Sequence, residues 1–194
     1  MEKVKNLRRI PTGEVLKSKE VSFKLYLKLQ HISKKNFKDN LNKHRYVPFN
    51  LVNKTYLSKE LKMSRQTIIT KFKGLEKSKL IKSIYTLGND YYILPDKKKY
   101  YVLLDIDCIQ LLLSNCDEYC IRIFLLHKSY TNKYGEYYLT LEQIAEQVGL
   151  SKTHLQKIID SNSRLENLGV LQIDRRTRHE NGQPRQNNRY KLLK

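Results

Sequence analysis

The stretch from Thr55 to Ile81, TYLSKELKMSRQTIITKFKGLEKSKLI, constrains this chain more than any other, because its pattern returns in the second half. Leu57 and Leu61 stand four apart and so share one helix face, while Met63 leads into a turn that Ser64 ends by capping the next helix. Ile68, Phe72 and Leu75 supply the buried face of that second helix. Its remaining surface holds Arg65, Gln66, Ile69, Thr70, Lys71 and Lys73, five of which can hydrogen-bond phosphates or base edges, with Thr67 a further candidate beside them.

Placing Ser64 on Ser151 sets MSRQTI over LSKTHL, and extra residues around Ser161 to Ser163 bring LEKSKLI over LENLGVL. Upstream, Leu57 and Leu61 fall on Ile144 and Val148, so the apolar positions of both helices repeat. A repeated spacing outweighs a single motif match, since chance must produce it twice. The chain of 194 residues is long enough for two such units, each with its own core.

The net charge of +19 favours a polyanionic partner, because neutralising phosphates releases condensed counterions. The charge is uneven: residues 1–99 carry 25 Lys and Arg against 8 Asp and Glu, whereas residues 100–194 carry 13 against 11. The first unit is therefore expected to supply most of the electrostatic affinity. The chain contains no uninterrupted apolar run of membrane-spanning length and MEKVKNLRRI has no hydrophobic signal core, so a cytoplasmic protein is expected. Cys108, Cys116 and Cys120 suit a reducing compartment. Cys116, Cys120 and His127 could share a helix face, but no fourth ligand is evident and CIRIFLLH is apolar, so buried thiols are expected rather than zinc.

Taken in order, residues 1–20 read as a flexible basic arm broken by Pro11 and Gly13. Val21 to Ile32 mixes helical and alternating spacing, with helix preferred, and the polar run after it reads as a loop through Pro48. Beyond Leu80, two β-prone runs flank Pro95 to Lys98, which predicts a hairpin whose tip presents Lys97, Lys98 and Lys99 to backbone phosphate. Asp105 to Ser114 is a short apolar helix between the units. Asn115 with Glu118 is in capping register for a further helix to about Tyr134, a core element or else a dimer surface.

In the second unit Thr140 with Gln143 forms a capping-box signature, Leu141, Ile144, Ala145 and Val148 face inward, and Gly149 turns the chain. The helix starting at Ser151 then directs Lys152, Thr153, His154, Gln156 and Lys157 outward, with Leu155, Ile158 and Ile159 inward. After Leu171 a strand, a long polar loop and a returning strand carry Arg175, Arg176, Arg178, Arg185 and Arg189, and arginine forks to phosphate or guanine and fits a narrow minor groove.

The pattern Ser-polar-polar-Thr-aliphatic, then Leu-Glu and a closing aliphatic pair, resembles winged helix-turn-helix regulators such as the catabolite activator. That resemblance implies base contacts by Arg65, Gln66 and Thr70. Residues 100–193, closing on Asn188, Arg189, Tyr190, Lys191 and Leu192, are similar to the winged helices of replication initiators and replisome organisers of low-GC Gram-positive plasmids and phages. The expected fold is α+β, mainly α: two tandem winged helix-turn-helix domains, residues 21–104 and 105–194, each a three-helix core with a hairpin wing. The implied function is sequence-specific binding of double-stranded DNA at an origin of replication. A transcriptional regulator on an operator, or an adaptor with one winged helix docked on a protein, are the alternatives. A second copy of the chain and a helicase-loading or replisome protein are the further partners considered. With no phosphate-binding loop, Rossmann glycines or His-Glu-x-x-His, no catalysis, metal or cofactor is expected.

Overall fold

A computed structural model describes residues 6–35, 44–86, 90–95, 99–134, 136–151, 153–154, 164–174 and 189–193. The chain is a mixture of helices and small antiparallel sheets, and it divides into two compact units. One comprises Met1–Pro11 with Lys19–Asn115, the other Thr12–Ser18 with Cys116–Lys194.

In the first unit, β1 (Arg8–Pro11) is a strand where the sequence pattern suggests a loose arm. It pairs antiparallel with β6 (Tyr101–Leu104), so that Arg8, Ile10, Val102 and Leu104 turn inward while Arg9, Tyr101 and Leu103 stay exposed. The reason is burial: the pairing sets Ile10 beside Val102 and Leu104, and all three are buried. The Arg8 guanidinium enters with it, its Nε donating to the Gln30 carbonyl at 3.1 Å. Burial, reinforced by Arg45, lowers the Arg8 pKa to about 10.

Helix α1 (Phe23–Ile32) is capped by Ser22, whose hydroxyl accepts from the Leu25 amide. Its ambiguous spacing has a structural cause, because Leu25, Tyr26, Leu27 and Leu29 are all buried and the helix presents no continuous polar face. The polar run after it, expected as loop, holds two strands. Strand β2 (Lys34–Lys35) pairs with β3 (Arg45–Pro48), and the Arg45 guanidinium donates to the Ser33 hydroxyl at 2.7 Å. Next come α2 (Lys54–Leu61), capped by Asn53, and α3 (Arg65–Lys77), capped by Ser64. Strands β4 (Lys82–Ile84) and β5 (Tyr91–Leu94) complete a sheet in the order β2-β3-β5-β4.

The hairpin expected around Pro95 to Lys98 does not form. Strand β5 turns back on β4 and continues onto β3, while β6 leaves for β1. Register decides this: pairing with β3 and β4 lets β5 bury Ile93 and Leu94, and β1 gives β6 a partner of its own. Lys99 is consequently an exposed residue leading into β6, its ammonium 5.4 Å from the Tyr100 ring. Lys97 and Lys98 lie outside the described residues. The unit ends with α4 (Ile106–Asn115), packed on α1 and so part of this unit rather than the start of the next.

In the second unit, α5 (Glu118–Tyr134) is capped by Asp117, which accepts from the Cys120 amide, and not by Asn115, whose side chain donates back to the Leu111 carbonyl. Ile121, Ile123, Phe124, Leu125 and Leu126 are buried, as a core element requires, while Tyr119 and Tyr130 of the same helix stay exposed. Strand β7 (Glu136–Tyr138) precedes α6 (Leu141–Val148), which carries the expected Thr140–Gln143 capping box. Strands β8 (Leu171–Asp174) and β9 (Arg189–Leu192) pair antiparallel, giving the order β7-β9-β8. The short 3-10 helix Gly13–Lys17 belongs here too, held by the buried Arg122, which donates to the carbonyls of Leu16 and Ser18. The described residues contain no helix long and apolar enough to cross a membrane.

Candidate nucleic-acid interface

The helix pair α2–α3 is built by a left-handed turn. Lys62 follows α2 with φ of 55°, and the Met63 amide closes the turn on the Ser58 carbonyl at 3.0 Å. Ser64 then starts α3, its hydroxyl accepting from the Thr67 amide at 3.0 Å. Leu57 and Leu61 from α2 and Ile68, Phe72 and Leu75 from α3 are buried, and the Phe72 ring stacks on Tyr92 with centroids 5.1 Å apart. Burial, then the neighbouring Glu76 and Tyr85, pushes the Tyr92 phenol up to about 12.

With that face committed inward, Arg65, Gln66, Thr70 and Lys73 stand exposed and Ile69 is half-buried among them. Gln66, Thr70 and Lys73 follow one another at helical spacing, so the surface is one continuous stripe. Two candidates are partly engaged in the fold. The Thr67 hydroxyl lies 2.8 Å from that of Ser64, and the Thr70 hydroxyl donates to the Gln66 carbonyl at 3.1 Å. Lys71 is turned aside, its ammonium donating to the Lys19 carbonyl at 2.6 Å, and Lys77 pairs with Glu20 at 2.8 Å. Chain spacing alone cannot reveal these contacts, because their partners are more than fifty positions away in sequence.

The described part of the second unit repeats the turn of this construction. Gly149 follows α6 with φ of 73°, and the Leu150 amide reaches the Ala145 carbonyl at 2.8 Å. Ser151 accepts from the His154 amide at 3.3 Å, and Ile144 and Val148 are buried where Leu57 and Leu61 are. The turns that lead into β4 and β8 are also alike. The Leu80 amide donates to Leu75 and the Val170 amide to Leu165, with Lys79 and Gly169 left-handed between them. Thr153 and His154 are exposed, the His154 ring 6.2 Å from Tyr119. Arg189 sits half-buried on β9 opposite Asp174 and Tyr138. Lys152, Gln156, Lys157, Arg175, Arg176, Arg178 and Arg185 lie outside the described residues, as do the inward-facing candidates Leu155, Ile158 and Ile159.

Among the thiols, Cys116 and Cys120 are buried with sulfurs 2.9 Å apart, and their contact together with burial raises the Cys120 pKa. The buried His127 directs its Nδ1 at the Tyr137 hydroxyl and stacks on Tyr190 at 4.8 Å. These groups serve the interior of the second unit.

Sequence reasoning missed two exposed lysines, Lys34 on β2 and Lys82 on β4. The alternation of Lys82, Ser83 and Ile84 was a signal, but that Lys82 shares a face with Lys34 depends on the pairing of β5 with β3, remote in the chain. No protein-family model matches the chain, and no curated protein matches it either.

Proposed function

We propose that this protein binds double-stranded DNA sequence-specifically through tandem winged helix-turn-helix domains, with α3 as the recognition helix of the first. The observation that carries this reading is the division of α3 into a buried apolar face and an exposed stripe of Arg65, Gln66, Ile69, Thr70 and Lys73. Arg65 has the fork that fits guanine, Gln66 the amide that fits adenine, and Ile69 an apolar surface for the thymine methyl. The basic excess of residues 1–99 supplies attraction to phosphate, and the matching construction around Gly149 and Ser151 supports a second reading helix. The hairpin of β8 and β9 is the second wing, with Arg189 at its base.

Two linked reading helices suit repeated sites, so the biological role that fits best is initiation of replication at an origin. The test is selection of bound fragments from the host replicon, followed by salt titration on the tightest. Enrichment of tandem direct repeats supports the initiator. A single inverted repeat beside a promoter replaces it with a transcriptional regulator. Steep salt dependence with no preferred fragment overturns base reading and favours an adaptor.

A further inference from the structure

The outer face of the four-stranded sheet in the first unit has no part in the function proposed above. Lys34, Tyr46, Ile93 and Lys82 stand directly opposite one another across β2, β3, β5 and β4, and directly opposed residues place their side chains on the same face. Tyr91, two positions from Ile93, belongs to that face as well, and its ring meets Tyr46 edge-on with centroids 5.9 Å apart. The other face turns Val47 and Leu94 into the core and sets Tyr92 against Phe72 of α3. Helix α3 therefore lies on one side of the sheet and the lysine–tyrosine row on the other. At a strand spacing of about 4.8 Å the row is about 14 Å long. Both lysines are exposed and both tyrosines half-exposed, with Ile93 buried between them.

We propose that this face binds single-stranded nucleic acid, with bases against Tyr46 and Tyr91 and backbone phosphates on Lys34 and Lys82. An unpaired strand alternates flat apolar bases with negative charge, and an aromatic centre with a cation at each end is complementary to that alternation. Every base has a π face, so stacking of this kind is tolerant of sequence. A duplex keeps those faces inside its own stack and has only phosphate to offer here. None of the residues in the row is acidic, and the basic excess of residues 1–99 draws a polyanion toward it. An acidic peptide would satisfy the lysines and leave the aromatic pair unused. Because α3 is on the far side of the sheet, the face does not compete with duplex reading and the two activities stand or fall separately.

The test titrates the full chain with a labelled oligothymidine of about 12 nucleotides, within the range of known single-strand site sizes, alongside a labelled duplex. Replacing both exposed lysines (Lys34→Gln with Lys82→Gln) spares the core. It is expected to weaken oligothymidine binding about tenfold and duplex binding by no more than about twofold. Tyr46→Ala with Tyr91→Ala should lose oligothymidine binding, whereas Tyr46→Phe with Tyr91→Phe should keep it, which separates stacking from unfolding. Ultraviolet crosslinks should map to Tyr46 or Tyr91. The proposal is overturned by an unchanged oligothymidine affinity in the lysine double variant, by crosslinks confined to α3, or by equal losses on duplex and single strand. It is also overturned if a polyglutamate peptide, and not oligothymidine, binds in a Lys34- and Lys82-dependent way, which would assign the face to an acidic protein.

Discussion

Four residues with positive φ mark corresponding places in the two halves of the repeat: Lys62 and Lys79 in the first unit, Gly149 and Gly169 in the second. The left-handed region costs a residue with a Cβ about 1–2 kcal/mol, and glycine escapes that cost. Lys79→Gly should therefore stabilise the first unit by up to about 1 kcal/mol, and Gly169→Ala, where a Cβ meets nothing within 4 Å, should cost the second about the same. Gly149→Ala should cost distinctly more, because its Cβ would stand 2.3 Å from the Lys17 carbonyl oxygen. Urea unfolding of the three variants checks the order, and equal losses at Gly149 and Gly169 would mean that the Lys17 contact is not kept in solution. His31 gives a pH dependence. Its pKa is lowered from 6.5 chiefly by burial and then by Lys28, against an opposing pull from Glu60, and its Nδ1 is buried without a hydrogen-bond partner. The unfolded chain thus takes up a proton that the fold resists, so stability is full above pH 6.5 and falls as pH drops toward the lowered value. His31→Gln should flatten that part of the profile, and an identical slope in wild type and variant would remove His31 as its source.

At the scale of elements, the exposed stripe on α3 separates two kinds of contact that DNA binding would use differently. Arg65→Ala should cost about 1–3 kcal/mol on the preferred site and relax its specificity, while Lys73→Ala should weaken all sequences alike and reduce the salt slope by about one. Equal losses for Arg65→Ala on preferred and random DNA would exclude base reading by that side chain. Helices α2, α3 and α6 are legible in the amino-acid pattern because their signals are local: a cap, a four-residue apolar spacing and a turn residue all lie within one short window. Phe72 and Ile144 can be assigned to the interior on those grounds, and both are buried. The sheets are not legible in the same way. Tyr91 to Leu94 and Tyr101 to Leu104 each read as a strand, and Pro95 between them offers a turn, yet they do not pair with each other: β6 pairs with β1, and β5 with β3 as well as with its sequence neighbour β4. Strand pairing is settled by which register buries the larger apolar set, and β3, inside a polar run, gives little local sign that it takes part. The same nonlocality hides the Lys34–Lys82 row and the diversion of Lys71 to Lys19.

For the whole molecule, the decisive segment is the one that composition alone assigns to a loose tail. Residues 8–11 form a strand of the first unit and Thr12–Ser18 belong to the second, so the chain enters one unit, passes to the other and returns at Lys19 before α1 begins. Each part is anchored by a buried arginine: Arg8 on the Gln30 carbonyl in the first unit, Arg122 on the Leu16 and Ser18 carbonyls in the second. Close backbone approach adds to this, since Gly74 of α3 leaves no room for a Cβ beside the Glu20 carbonyl, 2.2 Å away, and Gly149 none beside Lys17. A dispensable basic arm and a structural strap predict opposite results for removal of residues 1–20. If the segment only trails along phosphate, the truncated chain melts like wild type and loses affinity in proportion to the charge removed. The structure predicts instead that both units are destabilised, because fully buried Ile10 and nearly fully buried Leu16 leave cavities and buried Arg122 is left without two acceptors. Hydrogen exchange read separately on β6 and on α5 distinguishes the cases: faster exchange in both elements supports the strap, and protection unchanged in either one refutes it for that unit.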